Sequence, residues 1–590
     1  MIFDHRNKNN NDNEKRRVSA KWRILAIGAA IMIMLSACGT AATQTADTAS
    51  GTETSTTVYT AASKSEMFTD RDLSGDYDES SAVKVTLNGN SASVSGSEDG
   101  VSIDGSTITI TKEGTYILTG SLTDGMVVVE AGDSDKVQIV LDNASVTSSS
   151  SAALYVKQAD KVFVTTADGT QNTLANGGTF TAIDDNNIDG AVFAKDDVTF
   201  NGKGSLTVTS PAGHGAVGKD DVKFAGGTVT IEAAKHGVDA NDSARFAEAT
   251  VNITAGTDGV HVSDDSDAEN GEASDSYFYI ADGTLKISAG DDGIHADAEA
   301  ITEGGAIDIT ESYESIEALS IKISGGDINV KAKDDGLNAA GGKASTGSDV
   351  FGEDDWAGGK QGFSDGGSDG SIVISGGDMH ITAGGDGIDS NGSIEISGGY
   401  TLVTGPTQGD TSIMDYNTTA TVTGGTFIGT GGSGMGANFS SAENQGVITV
   451  STGGQSAGTA VKLTDADGKT LAEVTPELDY DVVMISTPDM KTGSTYTLSA
   501  GSYSETIELN DAVYGSLNGR GGMGRGNGGM PDMNNGNGGK GGMHGGHGGH
   551  GGRGPGNNNS DGASDSSGSD GITGATQDSG NDPFSGGSAA

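Results

Sequence analysis

One cysteine, seven prolines and 5% aromatic residues leave this 590-residue chain without most of the usual means of holding a compact domain together. A lone cysteine excludes an internal disulfide framework and any multi-cysteine metal centre. With 34% hydrophobic residues, a single large core is excluded too, although the length would suffice for several ordinary domains. Basic residues are scarce: 33 Lys/Arg stand against 82 Asp/Glu, for a formal net charge of −49. Such a surface repels nucleic-acid phosphates and anionic headgroups, which leaves cations, neutral glycans or anions bridged by cations as partners. What the chain does have is glycine, 97 residues of it. Stacked strands that bury small β-branched side chains against their neighbours can be built from such a composition.

The cysteine has a position that explains it. A basic segment precedes the apolar run 24–35, which is shorter than the ~20 residues a membrane span needs. The run ends in Leu35-Ser36-Ala37-Cys38-Gly39, which reads as a lipobox, with residues 1–37 removed as a signal peptide and Cys38 lipidated. Residues 38–82, rich in Ser, Thr and Ala, read as a tether. The expectation is an exported lipoprotein, membrane-anchored at the bacterial cell surface through its lipid only, and monomeric.

From residue 83 onward, short β-rich runs alternate with Gly, Asp, Asn and Ser. One unit recurs: TVTIEAAKHGVD (228–239), TVNITAGTDGVH (250–261), TLKISAGDDGIH (284–295), DINVKAKDDGLN (327–338) and DMHITAGGDGID (378–389). Weaker copies begin at Ser205, Tyr400 and Thr426. The shortest spacing, 22 residues from Thr228 to Thr250, suits one coil of two or three strands. Within the first strands Val, Ile, Leu and Met alternate with polar residues, so the period of two points them inward. The predicted fold is all-β, a right-handed parallel β-helix over 83–446 with a small C-terminal β-domain or cap over 447–512. Longer spacings predict surface insertions at 264–281, 297–320 and 340–371. Residues 513–590 read as a disordered tail, whose His544, His547 and His550 offer donors to soft metals.

In the repeat, Asp258, Asp292, Asp335 and Asp386 share one position, and Asp239, His261, His295, Asn338 and Asp389 share another three residues on. Turn chemistry explains any single Asp-Gly pair, because glycine permits positive φ. Stacking adds a demand. Carboxylates on coils ~4.8 Å apart repel by about 1 kcal/mol in water and about 3.5 at an effective dielectric of 20. Calcium, which takes six to eight oxygens, would offset this, while the two histidines admit a transition metal. The expected cofactor is Ca2+, on an edge running from Asp258 to Asp389.

These units, with DKVQIVLD (135–142), KDDVTF (195–200), KDDV (219–222) and DYDVVMISTP (479–488), resemble a clostridial-type family of carbohydrate-binding β-helix proteins, related in fold to pectate lyases. The resemblance implies bound calcium and plant cell-wall polysaccharide as ligand, acidic (polygalacturonate, pectin) or cellulosic. His214 and His236 depart from it, replacing the aspartate before glycine. Sugar-stacking candidates are Trp356 in the longest insertion and Tyr277 and Tyr279 at the end of another. A lyase would need a base, for which Arg245, Lys235 and Lys333 are the candidates. A binder without catalysis is the favoured reading; a calcium-dependent lyase and a surface adhesin or spacer are the alternatives.

Overall fold

The computed structural model describes residues 63–96, 99–264, 274–340, 370–405, 411–434 and 436–516. Cys38, Trp356 and the tail histidines lie outside them. The described strands join in a 39-stranded sheet, parallel for most of its length, and a four-stranded antiparallel sheet.

Each repeat is one coil of a parallel β-helix with three strands. In the coil that starts at Thr250 these are Thr250–Ala255, Val260–Val262 and Tyr277–Ile280. First strands pair in register, Thr228 opposite Thr250, Thr250 opposite Thr284, and Asp378 opposite Tyr400. Like residues therefore stack: Val229, Val251 and Leu285 form one buried column and Ile231, Ile253 and Ile287 another. Each such side chain contributes about 1.5–3 kcal/mol when fully buried, so columns of modest residues replace the single large core that the composition excludes. On the third strands Phe200, Phe224, Phe246 and Phe278 stack inside the coil at 4.9, 5.1 and 5.5 Å between rings.

One expected insertion is a coil. The 43-residue interval from Thr284 to Asp327 holds the strands Ala306–Glu311 and Ile316–Ile323, with Thr284 opposite Ala306 and Ala306 opposite Asp327. Residues 297–320 were hidden from the motif because Glu314-Ser315 stands where Asp-Gly is usual. Ser315 is fully buried there, its hydroxyl 3.2 Å from that of Ser312. The other two expected insertions fall mainly on 265–273 and 341–369, outside the described residues, and Tyr277–Ile280, placed in the first of them, is a strand of the coil.

The expected tether also has to be shortened. Residues 63–76 are docked on the outer face of the third strands. Their two helical turns, Lys64–Met67 and Asp70–Leu73, each open with a capping box, Ser63 with Glu66 and Thr69 with Asp72. Phe68 packs among Ala225, Ala247, Tyr279 and Ile301. Asp72 is fully buried, 2.9 Å from Lys161 Nζ, and accepts a 2.8 Å hydrogen bond from Thr199 Oγ1. Burial alone would raise the Asp72 carboxyl, but Lys161 and Lys223 bring it down to about 2. A Ser/Thr/Ala-rich composition masked one aromatic anchor and one buried ion pair.

At the other end the boundary at 446 is not a break between domains. Gly446–Gln455 and Tyr480–Thr487 belong to the solenoid's own sheet, the latter pairing antiparallel with the last coil strand, Thr426–Gly431. The antiparallel sheet beside them contains a hairpin around Gly468, Val461–Asp465 with Thr470–Val474.

Candidate functional site

The recurring Asp-Gly step builds one edge of the solenoid, and its glycine has a different role from the expected one. None of Gly237, Gly259, Gly336 and Gly387 has positive φ. A Cβ on Gly259 would lie 2.4 Å from Ile287 Cγ2 and 2.6 Å from the Gly293 carbonyl oxygen. Glycine stands there because the next coil comes too close for anything larger.

The strand that follows stacks its middle residue in a continuous ladder: Asp239, His261, His295, Glu317, Asn338, Asp389, Asp415. Three residues before each lies a second column, His236, Asp258, Asp292, Glu314, Asp335, Asp386, Ser412. Side chains of this second column staple coils together. Asp258 Oδ1 accepts from the Asp292 amide at 3.1 Å, Asp292 Oδ1 from Glu314 at 3.2 Å, and Asp335 Oδ1 from Asp386 at 2.6 Å. Asp386 Oδ1 accepts from the amide of Ser412 and, at 2.9 Å, from its hydroxyl. His236 performs the same task, its Nδ1 accepting from the Asp258 amide at 3.2 Å. Turn chemistry and site chemistry thus share one carboxylate: in Asp258 and Asp292 one oxygen holds the next coil, and Oδ2 faces histidine.

Along the edge the donors change. Toward the N-terminal coils four imidazoles stack, His214 on His236 at 4.9 Å, His236 on His261 at 4.4 Å and His261 on His295 at 5.0 Å. Asp258 Oδ2 lies 3.1 Å from His236 Nδ1 and 2.7 Å from His261 Nδ1. Burial acts to raise this carboxyl, yet the His236 and His261 imidazoles beside it hold it far below the usual carboxylate range. His295 Nδ1 is 2.7 Å from Glu317 Oε2 and 3.5 Å from Asp292 Oδ2. Toward the C-terminal coils only oxygen remains. Asp386, Asp389 and Asp415 bring carboxylate oxygens within 4.8 Å of one another. Burial, with the neighbouring carboxylates, raises Asp335 to about 7 and Asp386 and Asp389 to about 6. Asn338, on the ladder between Glu317 and Asp389, has a buried Oδ1 with no hydrogen-bond donor among the described residues.

Of the residues expected here, Asp258, Asp292, Asp335, Asp386, Asp389, His261 and His295 lie on this edge, in two interleaved columns. Asp239 shares the ladder but pairs with Lys219 at 3.8 Å, away from the clusters. His236, set aside as a departure, joins Asp258 and His261. Glu317 and Asp415 were missed. Glu317 sits in the overlooked coil, and Asp415 in a coil whose turn reads Ser412-Ile413, so only the recurrence of an apolar residue followed by an acid could have revealed them.

Two aromatic expectations fail. Tyr279 is fully buried under Phe68, and its hydroxyl donates to Glu303 at 2.6 Å. Tyr277 lies beneath the Arg245 guanidinium, 5.0 Å away, and reaches Met67 Sδ. Both belong to the face that residues 63–76 cover, so neither ring is presented to a sugar. Arg245, a candidate base, is held there as well, with Asp221 at 3.0 Å and the Met67 carbonyl oxygen at 3.0 Å.

A family model described as "carbohydrate-binding domain-containing protein" matches residues 104–351. A carbohydrate-binding domain-containing protein of Acetivibrio thermocellus is 34% identical over 137 residues, 23% of this chain and 48% of that protein. The chain thus spans about half the length of the curated relative it matches. Among solved structures, the polysaccharide lyase-like protein from C. thermocellum, a gadolinium derivative, is 29% identical; the match covers 42% of this chain and 93% of that one, with a TM-score of 0.35.

Proposed function

We propose that this chain is an exported, lipid-anchored bacterial surface protein that binds polysaccharide, an acidic plant cell-wall glycan, through calcium on the carboxylate end of the edge, without catalysis. The convergence of Asp386, Asp389 and Asp415 carries this reading. Their donor set is oxygen only, and oxygens that all lie within 4.8 Å of one another are close enough to share one ion with bonds of about 2.4 Å. These three would hold the ion, with the donorless Asn338 Oδ1 marking a further oxygen on the same ladder. Bound there, calcium would supply the positive charge that a chain of net charge −49 needs before a uronate carboxylate can approach. The similarity to proteins described as carbohydrate-binding supports the ligand class. Lipidation of Cys38 would make the membrane a partner through the anchor only, and the acidic surface disfavours nucleic acid.

The test is retention on polygalacturonate and cellulose with calcium or chelator, for the wild type and a D389N/D415N variant. Retention on polygalacturonate that chelator and the variant both abolish is the expected result. Retention indifferent to both would overturn the calcium bridge, and unsaturated-uronate absorbance growing with time would replace binding by a lyase. A C38S variant should appear in the culture medium rather than with the cells.

A further inference from the structure

The histidine end of the edge has chemistry that calcium does not use. His236 Nδ1 accepts from the Asp258 amide and lies 2.9 Å from Thr257 Oγ1, so it carries a lone pair rather than a proton, which a bound cation would take over from the amide, and Asp258 Oδ2 stands 3.1 Å from the same nitrogen. Two acceptors facing each other at that distance need a cation or a proton between them. His261 Nδ1 is 2.7 Å from that same oxygen. In a tetrahedral site with bonds of ~2.0–2.1 Å the ligand atoms are about 3.3 Å apart, close to the His236 separation, while His261 would draw back by about half an ångström. On the next coils His295 Nδ1 faces Glu317 and Asp292, while its Nε2 lies 3.4 Å from Asp297 Oδ1. Asp297 is in turn held by Ser263 Oγ at 2.9 Å. A carboxylate behind the distal nitrogen is the usual support of a metal-ligating histidine, since it orients the ring and raises its basicity.

We propose that His236, Asp258 and His261, and on the adjoining coils Asp292, His295 and Glu317, form two neighbouring three-ligand binding sites for a borderline divalent transition cation of the zinc class, separate from the all-oxygen set at Asp386, Asp389 and Asp415. Imidazole nitrogen is the discriminating donor: it suits zinc, nickel and copper, whereas calcium takes oxygen. Each set supplies three protein ligands, which leaves a position open to water or to a ligand's oxygen. The rings of His236 and His261 lie 16° from parallel, so closing on one ion requires them to tilt toward each other about χ2, a broad sp3–sp2 torsion. This inference does not rest on the carbohydrate reading.

The test uses the full-length chain with His544, His547 and His550 replaced by alanine, so that tail histidines do not contribute. Zinc affinity is read by competition with a chromophoric chelator in millimolar calcium, and cobalt(II) is added as a spectroscopic probe. The expected results are visible cobalt bands of a nitrogen-containing site, zinc retained against calcium, and a loss of about tenfold or more in affinity for one of two zinc ions in each of H261N and H295N, and for both in the double variant. D389N/D415N should leave zinc binding intact. Zinc displaced by calcium, absent cobalt bands, or affinity unchanged in the H261N/H295N double variant would each overturn the proposal. Should a variant fail to fold by circular dichroism, the calcium competition and cobalt spectrum of the parent decide alone.

Discussion

Two rows of buried charge run along the same solenoid, and they are balanced in opposite ways. Under residues 63–76, Lys161 meets Asp72 and Asp197 at 2.9 and 3.4 Å, and Asp221 is shared by Lys223 and Arg245 at 3.1 and 3.0 Å. On the other edge Asp335, Asp386, Asp389 and Asp415 have no lysine or arginine ion pair among the described residues. The first row is complete within the chain and serves packing. The second carries charge that the fold itself does not neutralise, and an excess of that kind, more than burial or conspicuous motifs, separates a site from a structural network.

The contrast can be broken first on the paired row. K161M leaves Asp72 charged and buried, and should cost about 3–5 kcal/mol, read as a lower denaturation midpoint and as new proteolytic cleavage within 63–76. An unchanged midpoint would mean that the docked segment adds little to the solenoid. Next in size, G259A forces a Cβ against Ile287 and the Gly293 carbonyl and should destabilise by about 1–3 kcal/mol, although its φ suits alanine.

The two rows should also respond to pH in different windows and with opposite sign. Asp72 is held at about 2, below its unfolded value, so the stability it contributes is present above pH ~4 and disappears as pH falls toward 2. Asp335, Asp386 and Asp389 are raised to about 6–7, so the folded chain keeps protons that the unfolded chain releases from pH ~4 upward. In chelator, stability should therefore fall as pH rises from about 4 to 7, giving a lower Tm at pH 8 than at pH 5. Calcium at pH 8 should recover the difference, and a Tm flat across that window would contradict the reading. The smallest effect is the most diagnostic. D415N removes a like charge from the Asp386–Asp389 cluster, so in chelator it should stabilise by about 1 kcal/mol, while in calcium it should weaken ion binding. Destabilisation in chelator would mean that Asp415 serves the fold.

Legibility followed the strength of the repeat. The strands at Thr228, Thr250, Thr284, Asp327 and Asp378 announced their inward columns through alternation, and the structure pairs the first three in succession and the last two with each other, residue for residue. The coil at Ala306 obeys the same alternation, with Ile307 and Ile309 buried, but lacks the Asp-Gly marker. Tyr277 and Tyr279 looked like loop aromatics because composition does not show that Phe68, about 210 residues earlier, covers them.

The sequence by itself determined the coil: its length, its inward residues, and the two positions of the repeat that most often carry acid or histidine. A period of two and a recurring glycine are local rules, and stacking only repeats them. Which donors meet was decided by tertiary structure alone. His236 and His261 occupy different positions of the repeat, and they come together only because the turn of one coil lies against the strand of the next. The aspartate row thereby becomes an edge of two chemistries, imidazole-bearing at one end and carboxylate at the other, since contact in a solenoid is set by axial stacking rather than by position within the repeat.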